Sequence, residues 1–398
     1  MGMTLGRLRW RLVVLALAGA MSLSAHGLVV ERELGGGVKA RVASFELPGQ
    51  SVQLRSLVPD GRGGVFMVVA ARPESADAAS TQLLSLTGRL GGTADLQSRA
   101  LRTTGSPSSG LGASDASPSA ASMMAADDQG TPYAVAVALN GAVQLTRFGI
   151  SGRVEQAFNV ALEVRSVAVR RLVWAGAGSF VIAGSAGSRP LLVTVDAAGR
   201  VRNHYVVDEE NAAAVAAVAL PDGSLAALIE KGTPEQPRFV LVIVRHPDGV
   251  VRRVELDGRP MDLATGPQGQ VVVLAERGGA ATREVTALSF NANLEPRWQR
   301  SLLSEPGPLA RFRIVPAQKG GFLVAGRKQR GLWLSRLSDR GEESWTSWTD
   351  PRQSAELEMM LNVELARFDD QVLVAYSAMV VRDRRQFSVV RAMQFRLD

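Results

Sequence analysis

The apolar positions of this chain fall into short runs bounded by Gly, Asp, Asn and Ser, and long Leu-rich amphipathic stretches are absent. Seven runs share one form: "VFMVVA" (65–70), "YAVAVA" (133–138), "SFVIAG" (179–184), "SLAALI" (224–229), "QVVVLA" (270–275), "GFLVAG" (321–326) and "QVLVAY" (371–376). Their starts lie 68, 46, 45, 46, 51 and 50 residues apart. Short, Val- and Ala-rich runs between turn residues read as strands buried on both faces.

Each run follows a tight-turn signal, such as "PDGRGG" (59–64), "LPDGS" (220–224) or "AQKGG" (317–321), and a further short apolar segment precedes that turn. Asp and Gly suit such turns because they tolerate positive φ or bond their own backbone. A loop and a third strand come next, as in "LLVTVD" (191–196) or "LWLSRL" (332–337), then a Gly or Asn turn and a more polar fourth strand. The unit is a four-stranded antiparallel meander, and at this period it predicts a β-propeller blade. One such sheet cannot cover its own two apolar faces, so the copies must stack, at roughly 25 cal/mol per Å² of apolar surface buried.

The prediction is therefore an all-β chain forming a seven-bladed β-propeller of four-stranded antiparallel blades. Residues 28–34 and 38–47 belong to no copy; as the mature N-terminal strand they complete the last blade and close the ring, which removes an exposed sheet edge. Six or eight blades also fit the copy spacing. The long first interval contains "TTGSPSSGLGASDASPSAAS" (103–122), rich in Ser, Gly, Ala and Pro. Such a segment buries too little to order itself and reads as a disordered surface insertion within one domain, 28–398.

Residues 1–27 are a separate object. Arg7, Arg9 and Arg11 precede a 14-residue apolar stretch, "LVVLALAGAMSLSA" (12–25), and Ala25 and Gly27 place small residues at −3 and −1 of a cleavage point, with Ser22-Leu23-Ser24 as the alternative. This is the signal-peptide pattern; a membrane anchor would need about 20 apolar residues. No later segment is apolar for long enough to span a membrane. The expected location is the periplasm or the exterior.

The chain has 398 residues, 46% hydrophobic and 21% charged, with no Cys and three His. Without Cys there is no disulfide, thiolate metal site or lipid-acceptor thiol. The formal charge of +7 falls to +4 when the three signal-peptide Arg leave, so bulk charge does not point to nucleic acid. His26 leaves with the signal peptide, while His204 and His246 lie in an outer strand and a turn, so neither a three-His zinc site nor a Ser-His-Asp triad is expected. The pairs Asp127-Asp128 and Asp369-Asp370 occupy the same turn position as Asp60 and Asp222, which turn chemistry explains. No cofactor and no metal are expected.

One charge distribution stands out. The loops joining second to third strands lie on one face of a propeller, and they carry Arg277, Arg283, Arg327, Lys328, Arg330, Arg382, Arg384 and Arg385, together with Arg189, Lys231 and Arg238. The same loops hold Glu230, Glu235, Glu276, Glu284 and Asp383, and the connections beside them add Asp208, Glu209, Glu210, Asp350, Glu356 and Glu358. A solvated mixed-charge rim is one reading. The other is a surface for an acidic partner protein or an anionic glycan.

The stretch "GGFLVAGRKQRGLWLSRLSDRGEESW" (320–345) resembles a repeat of secreted bacterial β-propeller proteins, through Gly320, Gly321, Phe322, Gly326, Trp333, Leu334, Leu337, Gly341 and Trp345. The full pattern occurs once, and the other six copies keep its skeleton. The resemblance implies fold and export but no particular activity. The functional expectation is an exported, non-catalytic binding or scaffold module that meets another envelope or secreted protein. The alternative is a propeller enzyme acting on carbohydrate or polymer, a hydrolase or lyase using Asp, Glu, Arg and Tyr.

Overall fold

The computed structural model describes residues 24–34, 38–47, 50–59, 65–73, 80–87, 93–100, 124–137, 141–149, 154–233, 235–278, 282–306, 312–349, 357–368, 370–382 and 385–396. The insertion at 103–122 and residues 1–23 of the expected signal segment lie outside these. Two strands come first, β1 (Ser24–Glu33) and β2 (Lys39–Leu47). Consecutive meanders follow. They are β3 (Gln50–Pro59), β4 (Val65–Pro73), β5 (Ser80–Thr87) and β6 (Thr93–Ala100); β7 (Met124–Ala126), β8 (Pro132–Val137), β9 (Val143–Phe148) and β10 (Val154–Val160); β11 (Val167–Gly176), β12 (Ser179–Ala186), β13 (Arg189–Asp196) and β14 (Val201–Val206). Next come β15 (Ala212–Ala219), β16 (Leu225–Thr233), β17 (Gln236–Arg245) and β18 (Gly249–Leu256), then β19 (Arg259–Thr265), β20 (Val271–Gly278), β21 (Arg283–Phe290) and β22 (Pro296–Glu305). The series ends with β23 (Arg313–Pro316), β24 (Phe322–Lys328), β25 (Gly331–Leu337) and β26 (Glu343–Trp348), and with β27 (Leu357–Phe368), β28 (Gln371–Arg382) and β29 (Arg385–Arg396).

Among the described residues these strands form six sheets: five of four strands, and one of nine in the order β27-β28-β29-β2-β1-β6-β5-β4-β3. This corrects the expectation of seven separate blades. The cause is β1, which pairs antiparallel with β6 along its first half and with β2 along its second, so two meanders fuse at their outer edges. β2 also pairs with β29, from Ala40 opposite Phe395 to Leu47 opposite Ser388.

First strands of successive meanders touch in cyclic order: β3 with β7, β7 with β11, β11 with β15, β15 with β19, β19 with β23, β23 with β27, and β27 with β3. The sheets thus stand in a ring with these strands innermost, and the fold is a β-propeller. Second strands are continuous apolar runs because alternate side chains enter opposite interfaces. On β12, Phe180 and Ile182 pack with Tyr133, Val135 and Leu145 of the preceding sheet, while Val181 and Ala183 pack with Ala214, Ala227 and Val240 of the following one. On β24, Val324 joins Val272 and Leu274, and Leu323 joins Val363, Val372 and Tyr376. Burying each such Val, Leu, Ile or Phe contributes about 1.5–3 kcal/mol. Gly326 is small for a concrete reason: a Cβ there would overlap the Phe312 ring. Among the described residues no helix is long and apolar enough to cross a membrane.

Candidate functional site

The innermost strands carry charge within apolar sequence: Asp262, Arg313 and Glu364 each have apolar neighbours on both sides, and Arg171 follows Arg170. β11, β15 and β19 each shift register by one residue, after Val169, Ala214 and Pro260. Such bulges turn the strand and re-aim the side chains that follow. Just past the shift, Arg171 stands opposite Ala183, Ala216 opposite Leu228 and Asp262 opposite Leu274. Arg313 of β23 stands opposite Ala325, and Glu364 of β27 opposite Ala375. Each partner is the fifth residue of its apolar run, so these five positions are equivalent. They read Arg, Ala, Asp, Arg, Glu around the ring.

These four charges meet. Arg313 donates from Nε to Glu364 Oε2 at 2.8 Å and from Nη2 to Glu364 Oε1 at 2.7 Å, a two-pronged pair in which both side chains are 5% exposed. Arg313 Nη1 lies 4.0 Å from Asp262 Oδ1. The same oxygen accepts from Arg171 Nη1 at 2.6 Å, and Asp262 Oδ2 accepts the Ile314 N–H at 3.0 Å. Burial disfavours the Arg313 cation, but the Glu364 and then the Asp262 carboxylates outweigh it and push this guanidinium above its ordinary range. Arg171 reaches past the fourth sheet, which has only Ala216 at this level. All four carboxylate oxygens of Asp262 and Glu364 therefore accept from protein donors, and the network ties together innermost strands from four sheets.

A second set lies nearer one end of these strands. Arg170 Nη1 is 3.3 Å from Glu230 Oε2, and Arg283 is ion-paired with the buried Glu276. Arg259 is half-buried between them. Burial lowers its guanidinium below the ordinary value, and the Glu276 and Glu230 carboxylates partly oppose this.

The predicted basic rim is largely engaged within the protein. Arg277 donates from Nε to the Asp257 carbonyl at 2.9 Å, and Arg283 is held by Glu276. Arg327 donates from Nη1 to the Met360 carbonyl at 3.2 Å; burial lowers its guanidinium, with Glu305 opposing. Lys328 Nζ sits 5.4 Å from the centre of the Trp348 ring, a cation–π distance. Arg330 is exposed, and its carbonyl accepts the Met360 N–H at 3.2 Å. Arg327, Lys328 and Arg330 thus cluster at the β24–β25 connection, while Arg277 and Arg283 face each other's strand ends at β20–β21. Arg384 and the side chains of Arg382 and Arg385 lie outside the described residues. Among the described residues no group of three His, Cys, Asp or Glu side chains is placed to hold a metal ion.

Sequence reading passed over Arg171, Asp262, Arg313 and Glu364. The available signal was a lone charge inside an apolar first strand, as in "PMDLA", "FRIV" and "NVELA", recurring at the blade period.

No protein-family model and no curated protein sequence matches the chain. Solved structures do. A gluconolactonase from Xanthomonas campestris aligns at 13% identity and a TM-score of 0.40, over 96% of this chain and 99% of that one. The WD40 domain of coronin from Toxoplasma gondii aligns at 7% identity and 0.40, over 93% and 89%. Prolyl oligopeptidase B from Galerina marginata aligns at 11% and 0.45, over 85% of this chain and 50% of that one. At these identities and TM-scores the likenesses carry no argument about activity.

Proposed function

We propose that this chain is an exported β-propeller acting as a non-catalytic binding or scaffold module of the cell envelope, its partner another envelope or secreted protein. On this reading β2 completes the blade of β27–β29 and closes the ring, and β3–β6 form the first blade. The observation that carries the proposal is the buried charge network, in which all four carboxylate oxygens of Asp262 and Glu364 accept from protein donors. Arg171, Asp262, Arg313 and Glu364 on the innermost strands are bound to one another, so neither of these carboxylates is open to serve as an acid or base. What remains for recognition is the outer rim, with Arg330 its most exposed cation at the β24–β25 connection.

The test is capture from native envelope extracts with the tagged protein at low salt, alongside a form neutralised at Arg327, Lys328 and Arg330. A stoichiometric protein partner, weakened by neutralisation, supports the proposal. Release of new sugar ends from envelope polysaccharide by the purified protein would overturn it in favour of the hydrolase or lyase reading.

A further inference from the structure

We propose that cutting the chain between Gly27 and Leu28 divides the nine-stranded sheet into one of four strands, β3–β6, and one of five, β27–β29 with β2 and the remainder of β1, so that processing sets the number of sheets. The inference rests on the export reading above. Its basis is the register of β1. Ser24, Ala25, His26, Gly27 and Leu28 pair with Gln97, Leu96, Asp95, Ala94 and Thr93 of β6. Val29, Val30, Glu31, Arg32 and Glu33 pair with Ala43, Val42, Arg41, Ala40 and Lys39 of β2. The partner changes between Leu28 and Val29. That is one residue from the bond at which Ala25 and Gly27 supply the small −3 and −1 residues of a signal-peptidase site.

Hydrolysis at this bond adds one water, leaving a carboxylate on Gly27 and an amine on Leu28. Four of the five pairs to β6 depart with the leader, and all five pairs to β2 remain. The surviving Leu28–Thr93 pair would then sit at a chain terminus, where single pairs fray. β6 would become an outer edge strand, as β10, β14, β18, β22 and β26 already are in their sheets. Contact between β27 and β3 does not pass through β1, so the ring stays shut at its centre. The position of the cut matters: cleavage after Ser24 would remove one pair and leave the nine-stranded sheet intact.

Two forms test this, one beginning at Ser24 and one at Leu28, followed by native-state amide hydrogen exchange, with the native N-terminus read by mass spectrometry on protein from the envelope. The expected result is a native start at Leu28, with β6 amides over 94–97 exchanging about tenfold or more faster in the Leu28 form. Amides of β2 and β29 should keep their protection, which also shows that this form is folded. Equal β6 exchange in the two forms overturns the inference while leaving the export reading standing. General loss of protection in the Leu28 form overturns it too, since residues 24–27 would then be part of the fold. A native start elsewhere overturns both the inference and the placement of the signal segment.

Discussion

The indole N–H of Trp298 donates to the backbone carbonyl of Asp339 at 2.8 Å, tying β22 to the β25–β26 turn of the next sheet. Gln270 Nε2 donates to the same carbonyl at 3.0 Å, and the Asp339 carboxylate accepts the Gly321 N–H at 2.7 Å. Gly341, at φ 77°, lies flat against the Trp298 ring. Replacing Trp298 by Phe keeps an aromatic ring of smaller size and removes the donor, and the lost hydrogen bond should cost about 0.5–1.5 kcal/mol. Gly341→Ala must both adopt a left-handed backbone and displace the ring, so it should cost more than Trp298→Phe. Urea unfolding of the two variants checks the order.

Breaking the buried pair should be the more damaging change. Glu364→Leu leaves Arg313 charged and half-matched in a dry site, and a loss of about 3–5 kcal/mol is expected. Arg313→Met alone should behave similarly by stranding Glu364. The double variant should be less unstable than the sum of the two, because it strands neither partner. A double-mutant cycle in guanidinium gives the coupling; additive losses would mean that the pair is not an energetic unit.

Acid should weaken the turn built on Asp196. Burial alone would raise this carboxyl. Hydrogen bonds from the Arg200 N–H and side chain and the Ala198 N–H outweigh burial and hold it below its ordinary value of 3.8. A folded value below the unfolded one stabilises fully above the unfolded value, and that stability is lost as pH falls through the folded value. Asp196→Asn should therefore be less stable than the parent at pH 7, and the gap should begin to close only as pH falls below the ordinary value of 3.8 toward the lower folded value. Thermal midpoints across pH 2–7 are the measurement.

The exposed rim should matter for encounter, not for folding. Arg330→Glu should leave the free energy of unfolding within about 0.5 kcal/mol of the parent, since exposed charges contribute little. If the rim binds an acidic partner, the substitution should slow association and flatten its salt dependence. Surface-bound kinetics at two salt concentrations would show this.

Much of the fold was legible because burial on both faces leaves an unmistakable trace. The seven apolar runs fall on second strands, from β4 to β28, and two of the turns ahead of them behave as their Asp residues suggest. Asp127 Oδ1 accepts the N–H groups of Gln129 and Thr131, and Asp222 Oδ1 that of Ser224. Trp345 packs near Phe395 of the following meander, with ring centres 6.3 Å apart. The sheet count was not legible, because it depends on which edges β1 joins and edge pairing leaves no periodicity. The charge network escaped for a different reason. Glu364 is 51 residues from Arg313, and Asp262 is 91 from Arg171. Only superposing one blade on another brings such residues to a common position. An Arg in a loop likewise does not reveal the acid or carbonyl it meets, as Arg277 and Arg283 illustrate.

The alternating signs at that shared level also bear on assembly. Similar meanders in one chain can dock in the wrong order or exchange with those of another molecule. Arg313 fits between Asp262 and Glu364. Were β19 and β23 to trade places, the two carboxylates would face each other with no cation between them, buried and repelling. A few charges at one height thus mark four of the sheets apart from one another.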